Sequence, residues 1–188
     1  KYVSHILWRC SFSNNLDAID IDMGGGRVTR CLFINNEDDC IDLSSSWVLI
    51  EGNDIHSHGD KGISVGEKSK PLIRNNIITD AAMGIAVKDL SEAHIENNTL
   101  LSNRTAVALY QKKPSFGPAT AHLLRNVIHF NHQTISLDQG SRITAGTNTC
   151  SESLDGHGNI RVAPDYSPSW KLPPDSPLRS PIHLGAHR

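Results

Sequence analysis

A 22-residue repeat runs through the chain. The segments DAIDIDMG, DCIDLSSS, KGISVGEK, MGIAVKDL and TAVALYQK align so that Ala18, Cys40, Gly62, Gly84 and Ala106 share one column. A sixth copy, QTISLDQG, sets Thr134 in that column after a longer step, and the six extra residues fall in KKPSFGPAT. A unit this short cannot bury a core alone, so successive units must stack, and an insertion in one of them is expected as a surface loop. Within each copy apolar residues alternate with small or polar ones, as in Ile19 and Ile21, Ile41 and Leu43, Ile63 and Val65. Period two marks a strand with one buried face.

A second strand signal precedes each copy, in RVTRCLFI, SWVLIEGNDI, KPLIRNNII, EAHIENNTL and AHLLRNVIHF. Here Asn53, Asn75 and Asn97 recur with the period of the repeat, with Asn76, Asn98 and Asn126 in a neighbouring column. Stacked Asn side chains hydrogen-bond along such a column and tolerate tight bends. The pattern predicts an all-β right-handed parallel β-helix, a solenoid of about six rungs over residues 1–143, each rung ~4.8 Å from the next. A β-sandwich would need hairpin turn pairs, which are nearly absent. Residues 144–188 break the pattern, and six of the nine prolines follow Ala163. This segment is expected as a capping tail that lays Tyr166, Trp170, Leu172 and Leu178 against the coil.

The 18 basic and 20 acidic side chains leave a net charge of −2, which argues against a nucleic-acid partner. No apolar run is long enough for a membrane span. The first rung would expose strand edges, so an upstream domain or a dimer partner is expected over Tyr2, Ile6 and Trp8. Four cysteines are too few for a disulfide scaffold. Cys10 and Cys31 fall at comparable places in successive rungs and are read as a stacked pair of small buried residues. His56 and His58 share a turn with Asp60, and His94 and His122 should stack on adjacent rungs. With no third ligand evident, ladder or surface roles are expected for these histidines rather than zinc binding.

Charge gathers on the first rungs. By the register of the repeat Asp17, Asp39 and Lys61 share one column, and Asp20 and Asp42 share another, facing outward between Ile19, Ile21, Ile41 and Leu43. Two carboxylates ~4.8 Å apart repel by roughly 3.5 kcal/mol at an effective dielectric of 20. A bound Ca²⁺, a neighbouring lysine or a raised carboxyl pKa would offset that cost, and each is also a way to build a reactive site.

The segments NLDAID (15–20), EDDCID (37–42) and DKGISVG (60–66) resemble motifs of the polygalacturonase family. The resemblance implies Asp17, Asp38 and Asp39 as its carboxylates; Lys61 stands where the family has His, and Ala86 and Lys88 where it has Arg-x-Lys. The D-D-x-x-D stretch at Asp38, Asp39 and Asp42 is similar to that of the calcium-dependent pectate lyases of family 9. That resemblance implies a Ca²⁺ site of Asp17, Asp38, Asp39 and Asp42, and a catalytic base at Lys61 or Lys88. DKGISVGEKS with GIAVKD also resembles β-helix modules of bacterial surface proteins, from which no activity carries over. The resulting expectation is a secreted or cell-surface protein acting on a polysaccharide. Lys61, Lys88 and Asp39 are its catalytic candidates; Asp17, Asp20, Asp38, Asp42 and Asp60 are its substrate- or cation-binding ones. Uronate β-elimination ranks ahead of hydrolysis, because Lys61 and Ala86 replace two residues of the hydrolase pattern. The alternative is a non-catalytic carbohydrate-binding or adhesion module.

Overall fold

In a computed structural model, residues 3–57 and 59–161 are described. Tyr2, His58 and the tail residues Tyr166, Trp170, Leu172 and Leu178 lie outside the described residues. The strands form three parallel sheets of seven, eight and six strands; six successive turns contribute one strand to each, and the strands after them extend only the first two sheets. The first sheet runs from Val3–Trp8 to Arg142–Gly146, the second from Ser11–Ser13 to Ile160–Arg161, and the third from Ile19–Asp22 to Gln133–Leu137. The molecule is therefore a parallel β-solenoid of about seven turns, one more than the six read from the repeat. Strand pairing crosses residue 143 within Arg142–Gly146 and continues through Thr149–Cys150. No helix among the described residues is long and apolar enough to cross a membrane.

Inside, the alternating residues stack into one core. Ile41, Ile63, Ile85 and Val107 follow one another along the third sheet, as do Ile50, Ile73, Ile95 and Leu123 along the first. The column of small residues has a steric cause. A Cβ on Gly62 would lie 2.6 Å from Ile78 Cγ2 and 2.7 Å from the Gly84 carbonyl oxygen. The inserted segment is a surface loop between Thr105–Tyr110 and Thr120–Leu124, as the repeat predicts.

The Asn columns differ from the expected alignment. Asn53 stacks on Asn76, not Asn75, and the ladder continues through Asn98, Asn126, Asn148 and Asn159. Asn75 and Asn97 instead occupy the preceding corner, with φ of 57° and 53°, beside Gly52 at 66°. The offset comes from one extra residue in the previous corner. Ser45 alone turns left-handed there on one rung, whereas Glu67 and Lys68 both do so on the next. Stacking of Ser46 on Ser69 therefore takes 23 residues.

Cys31 occupies the same ladder, its N–H donating to Asn53 Oδ1 at 2.9 Å, and Cys10 precedes it by the same pattern of backbone bonds. All four cysteines are free thiols, and Cys150 is buried in the second sheet.

His129 is fully buried on that sheet, and burial lowers its pKa to about 4 from 6.5. Among the described residues neither ring nitrogen has a partner in hydrogen-bond geometry, although the Thr149 backbone favours the cation. Between pH 6.5 and about 4 the unfolded chain binds a proton that the folded chain refuses, so stability falls as pH is lowered through that window. His129→Leu should remove a loss of roughly 1–3 kcal/mol. Urea midpoints at pH 7 and pH 4.5 check this, and parallel acid losses in both proteins would contradict it.

Candidate functional site

The outer face of the third sheet carries the charge cluster. Its central column runs Asp20, Asp42, Ser64, Ala86, Ala108 and Ser136. On one flank stand Asp39, Lys61, Met83, Thr105 and Gln133; on the other, Lys88 is followed by Tyr110. Ser64, Ala86 and Ala108 are buried although they face outward, because the longer flanking side chains close over them. Asp20 and Asp22 are exposed, so the face is open toward the early turns.

The two lysines reach back along the coil, with opposite electrostatic results. Lys61 is 5 % exposed; its Nζ lies 3.1 Å from Asp39 Oδ1 and also bonds Asp60. Burial acts to lower its pKa, but the hydrogen bonds and charges of Asp60 and Asp39 outweigh it and hold the ammonium above the ordinary lysine range. Asp39 itself is raised, because its own burial exceeds what one ammonium returns. Lys88 lies over Gly66, where a Cβ would come within 3.0 Å of its Cε, and its Nζ stops 4.0 Å from Asp42 Oδ1. Burial lowers its pKa; Asp42 opposes this, while Lys61 and Lys112 add to it. Asp42 Oδ1 and the Ser64 hydroxyl are buried without a hydrogen-bond partner among the described residues.

Asp17, Asp38 and Asp39 form a separate group, each offering an oxygen within 4.8 Å of the others. Asp17 Oδ1 accepts the Asp39 backbone N–H at 3.0 Å, and one Asp39 oxygen is taken by Lys61. Three carboxylate oxygens at this spacing fit the ~2.3–2.6 Å bonds of Ca²⁺, and the exposure of Asp17 and Asp38 leaves room for water ligands. Asp42 stands outside this group and faces Lys88, so the structure divides the expected four-carboxylate set in two. Asp20 lies beside Asp42, and its pKa is raised by burial and then by Asp22, Asp42 and Asp17.

Two contributors escaped the sequence reading. Tyr110 is the neighbour of Lys88 one repeat further on, a spacing that the sequence already contained. Its phenol is raised by burial, with Asp60, Asp39 and Asp89 adding and Lys61 opposing, so it stays protonated. Asp89, fully buried, accepts the backbone N–H groups of Lys112 and Lys113 at 2.7 Å each and anchors the inserted loop. The loop is tied further by Gln111 Nε2 on Phe116 O at 2.8 Å, by a Lys113–Glu67 ion pair, and by Lys68 5.7 Å from the Phe116 ring. It is a fixed wall beside Lys88.

His56, His94 and His122 follow the expected ladder and stacking roles. His56 Nδ1 bonds Thr79 Oγ1 at 2.9 Å, which is a ladder role. His94 and His122 stack as expected, with ring centroids 4.8 Å apart.

No curated protein and no solved structure matches the chain. The family model described as the right handed beta helix region matches residues 2–116, more than half of the chain. With three parallel sheets, one strand per turn and successive repeats in register, the chain belongs to the right-handed β-helix family.

Proposed function

We propose that the outer face of the third sheet binds an acidic polysaccharide and cleaves it by β-elimination, with Lys88 as the base. The observation that carries this reading is the divergence of the two lysines. Lys88 is destabilised as an ammonium by burial, while Lys61 is pinned as one between Asp39 and Asp60. A base that must take the weakly acidic C5 proton of a uronate needs a lowered lysine pKa to be neutral in useful amount.

Lys88 Nζ takes that proton, the C4–O4 bond breaks, and a C4=C5 double bond forms in the ring carrying the carboxylate. Tyr110, protonated and next along the column, returns a proton to the departing O4. The face is strongly acidic, and an anionic chain would be repelled without a counter-charge. Asp17, Asp38 and Asp39 would hold Ca²⁺, which when bound supplies positive charge against a uronate carboxylate. An extended sugar chain lying along the coil axis would meet Asp20, Asp42 and Lys88 in turn.

The test is incubation with polygalacturonate, alginate and glycosaminoglycans, with and without Ca²⁺. Elimination gives an ultraviolet-absorbing unsaturated end and should require the cation. New reducing ends without that absorbance would instead support a polygalacturonase-like hydrolase. Glycan binding with neither signal would support the carbohydrate-binding or adhesion module.

A further inference from the structure

The first sheet carries a second cluster, on a face other than that of the lysines. Glu92 and His94 are two residues apart on the strand Glu92–Glu96, so their side chains share its outer side; His122 pairs with His94 on the next rung. One ligand atom from each of the three lies within 4.8 Å of the others.

We infer that Glu92, His94 and His122 bind a zinc ion. The pair distance already fits: His122 Nε2 lies 3.4 Å from Glu92 Oε1. Two ligands at ~2.0–2.1 Å from a tetrahedral Zn²⁺ are about 3.3 Å apart. Both groups are held in place from behind. Thr144 Oγ1, on the following rung, lies 2.8 Å from His122 Nδ1, which leaves Nε2 as the free lone pair once Nδ1 carries the proton. Lys70 Nζ bonds Glu92 Oε2 at 2.9 Å and leaves Oε1 turned toward the imidazole. His94 is exposed, with no hydrogen bond on its ring among the described residues, and a side-chain rotation from its stacked position would bring its nitrogen to the ion. The side chains of His122 and Glu92 are 35 % and 39 % exposed, so a water completes the tetrahedron. The ladder spacing that stacks the two rings thus sets two nitrogens and a carboxylate at one point, and the ion would clasp two rungs.

Calorimetric titration with ZnCl₂ near neutral pH tests the site, with Co²⁺ as a spectroscopic probe of geometry. One ion per chain should bind in the micromolar range, and Co²⁺ should show the intense visible bands of a tetrahedral site. His94→Ala and His122→Ala should each weaken binding by more than about 100-fold, and Thr144→Val by about 10-fold through loss of ring orientation. Zn²⁺ should also raise the thermal midpoint of the unaltered chain but not of His122→Ala. These are surface positions, and circular dichroism verifies that the variants fold; Glu92→Gln gives a third, conservative route to the same loss. Uptake only at millimolar Zn²⁺ overturns the inference. So does uptake unchanged in the His94→Ala/His122→Ala double variant, which would put the ion elsewhere on the chain; among the described residues Asp17, Asp38 and Asp39 are the other group close enough to hold it.

Discussion

Asn76→Ala should lower the stability of the folded chain by about 3–4 kcal/mol, read as a fall in the urea midpoint at constant slope. Asn76 Oδ1 accepts both the backbone N–H and the Nδ2–H of Asn53, at 3.0 and 2.9 Å. Its own Nδ2 donates to the Ile50 carbonyl at 3.0 Å and to Asn98 Oδ1 at 2.9 Å. The site is fully buried, so water cannot replace the lost partners, and the Asn53 N–H is left with none. Asn76→Asp keeps the acceptor but turns a second oxygen toward the Ile50 carbonyl and Asn98 Oδ1, and should destabilise at least as much. Asn75→Gly is the control. Asn75 sits one residue earlier at φ 57°, a conformation glycine adopts freely, so its replacement should be nearly neutral. Equal losses at the two positions would show that the ladder does not hold the corner.

Lys88→Met should reduce β-elimination by about 10²- to 10⁴-fold while glycan binding persists, if Lys88 is the base. Met keeps the length of the chain over Gly66 and removes only the ammonium. In the unaltered protein the rate should rise with pH as Lys88 loses its proton, and burial places that rise below the ordinary lysine range. Asp42, ahead of Asp39, is the main charge that favours the cation, so Asp42→Asn should carry the rise to still lower pH. Lys61→Met should move that limb to higher pH, because the protonated Lys61 helps hold the Lys88 pKa down, and should also act on stability or substrate affinity. Rate–pH profiles of the three variants decide it. An activity that survives Lys88→Met and vanishes with Lys61→Met would transfer the base to Lys61.

Much of the fold was legible in the repeat. The column from Ala18 to Ala106 gave the register, and the six extra residues before Thr134 gave the loop. What periodicity missed were departures of a single residue: Asn53 pairs with Asn76 because a corner gained one left-handed residue, and nothing in the spacing of the repeat distinguishes Asn75 from Asn76. Tyr110 could have been found by adding one repeat to Lys88. Asp89 could not, since its role is to hold two amides of an insertion that lies outside the repeat.

The same division runs through the charged residues. Hydrophobic alternation and small-residue columns act between neighbours along the chain and between rungs at fixed spacing, so the sequence by itself determined the parallel coil and which residues share a face. It also placed Asp17, Asp39 and Lys61 in one column. Charge states depend on how deeply each side chain is covered and on how far it reaches across rungs. Lys61 and Lys88 look alike in sequence, yet one is clamped between two carboxylates while the other crosses a glycine and stops 4.0 Å short of one. Only the tertiary structure decided which lysine is favoured as a cation, and only it set Glu92 beside two stacked imidazoles, because desolvation and Coulomb energy follow depth and distance in space.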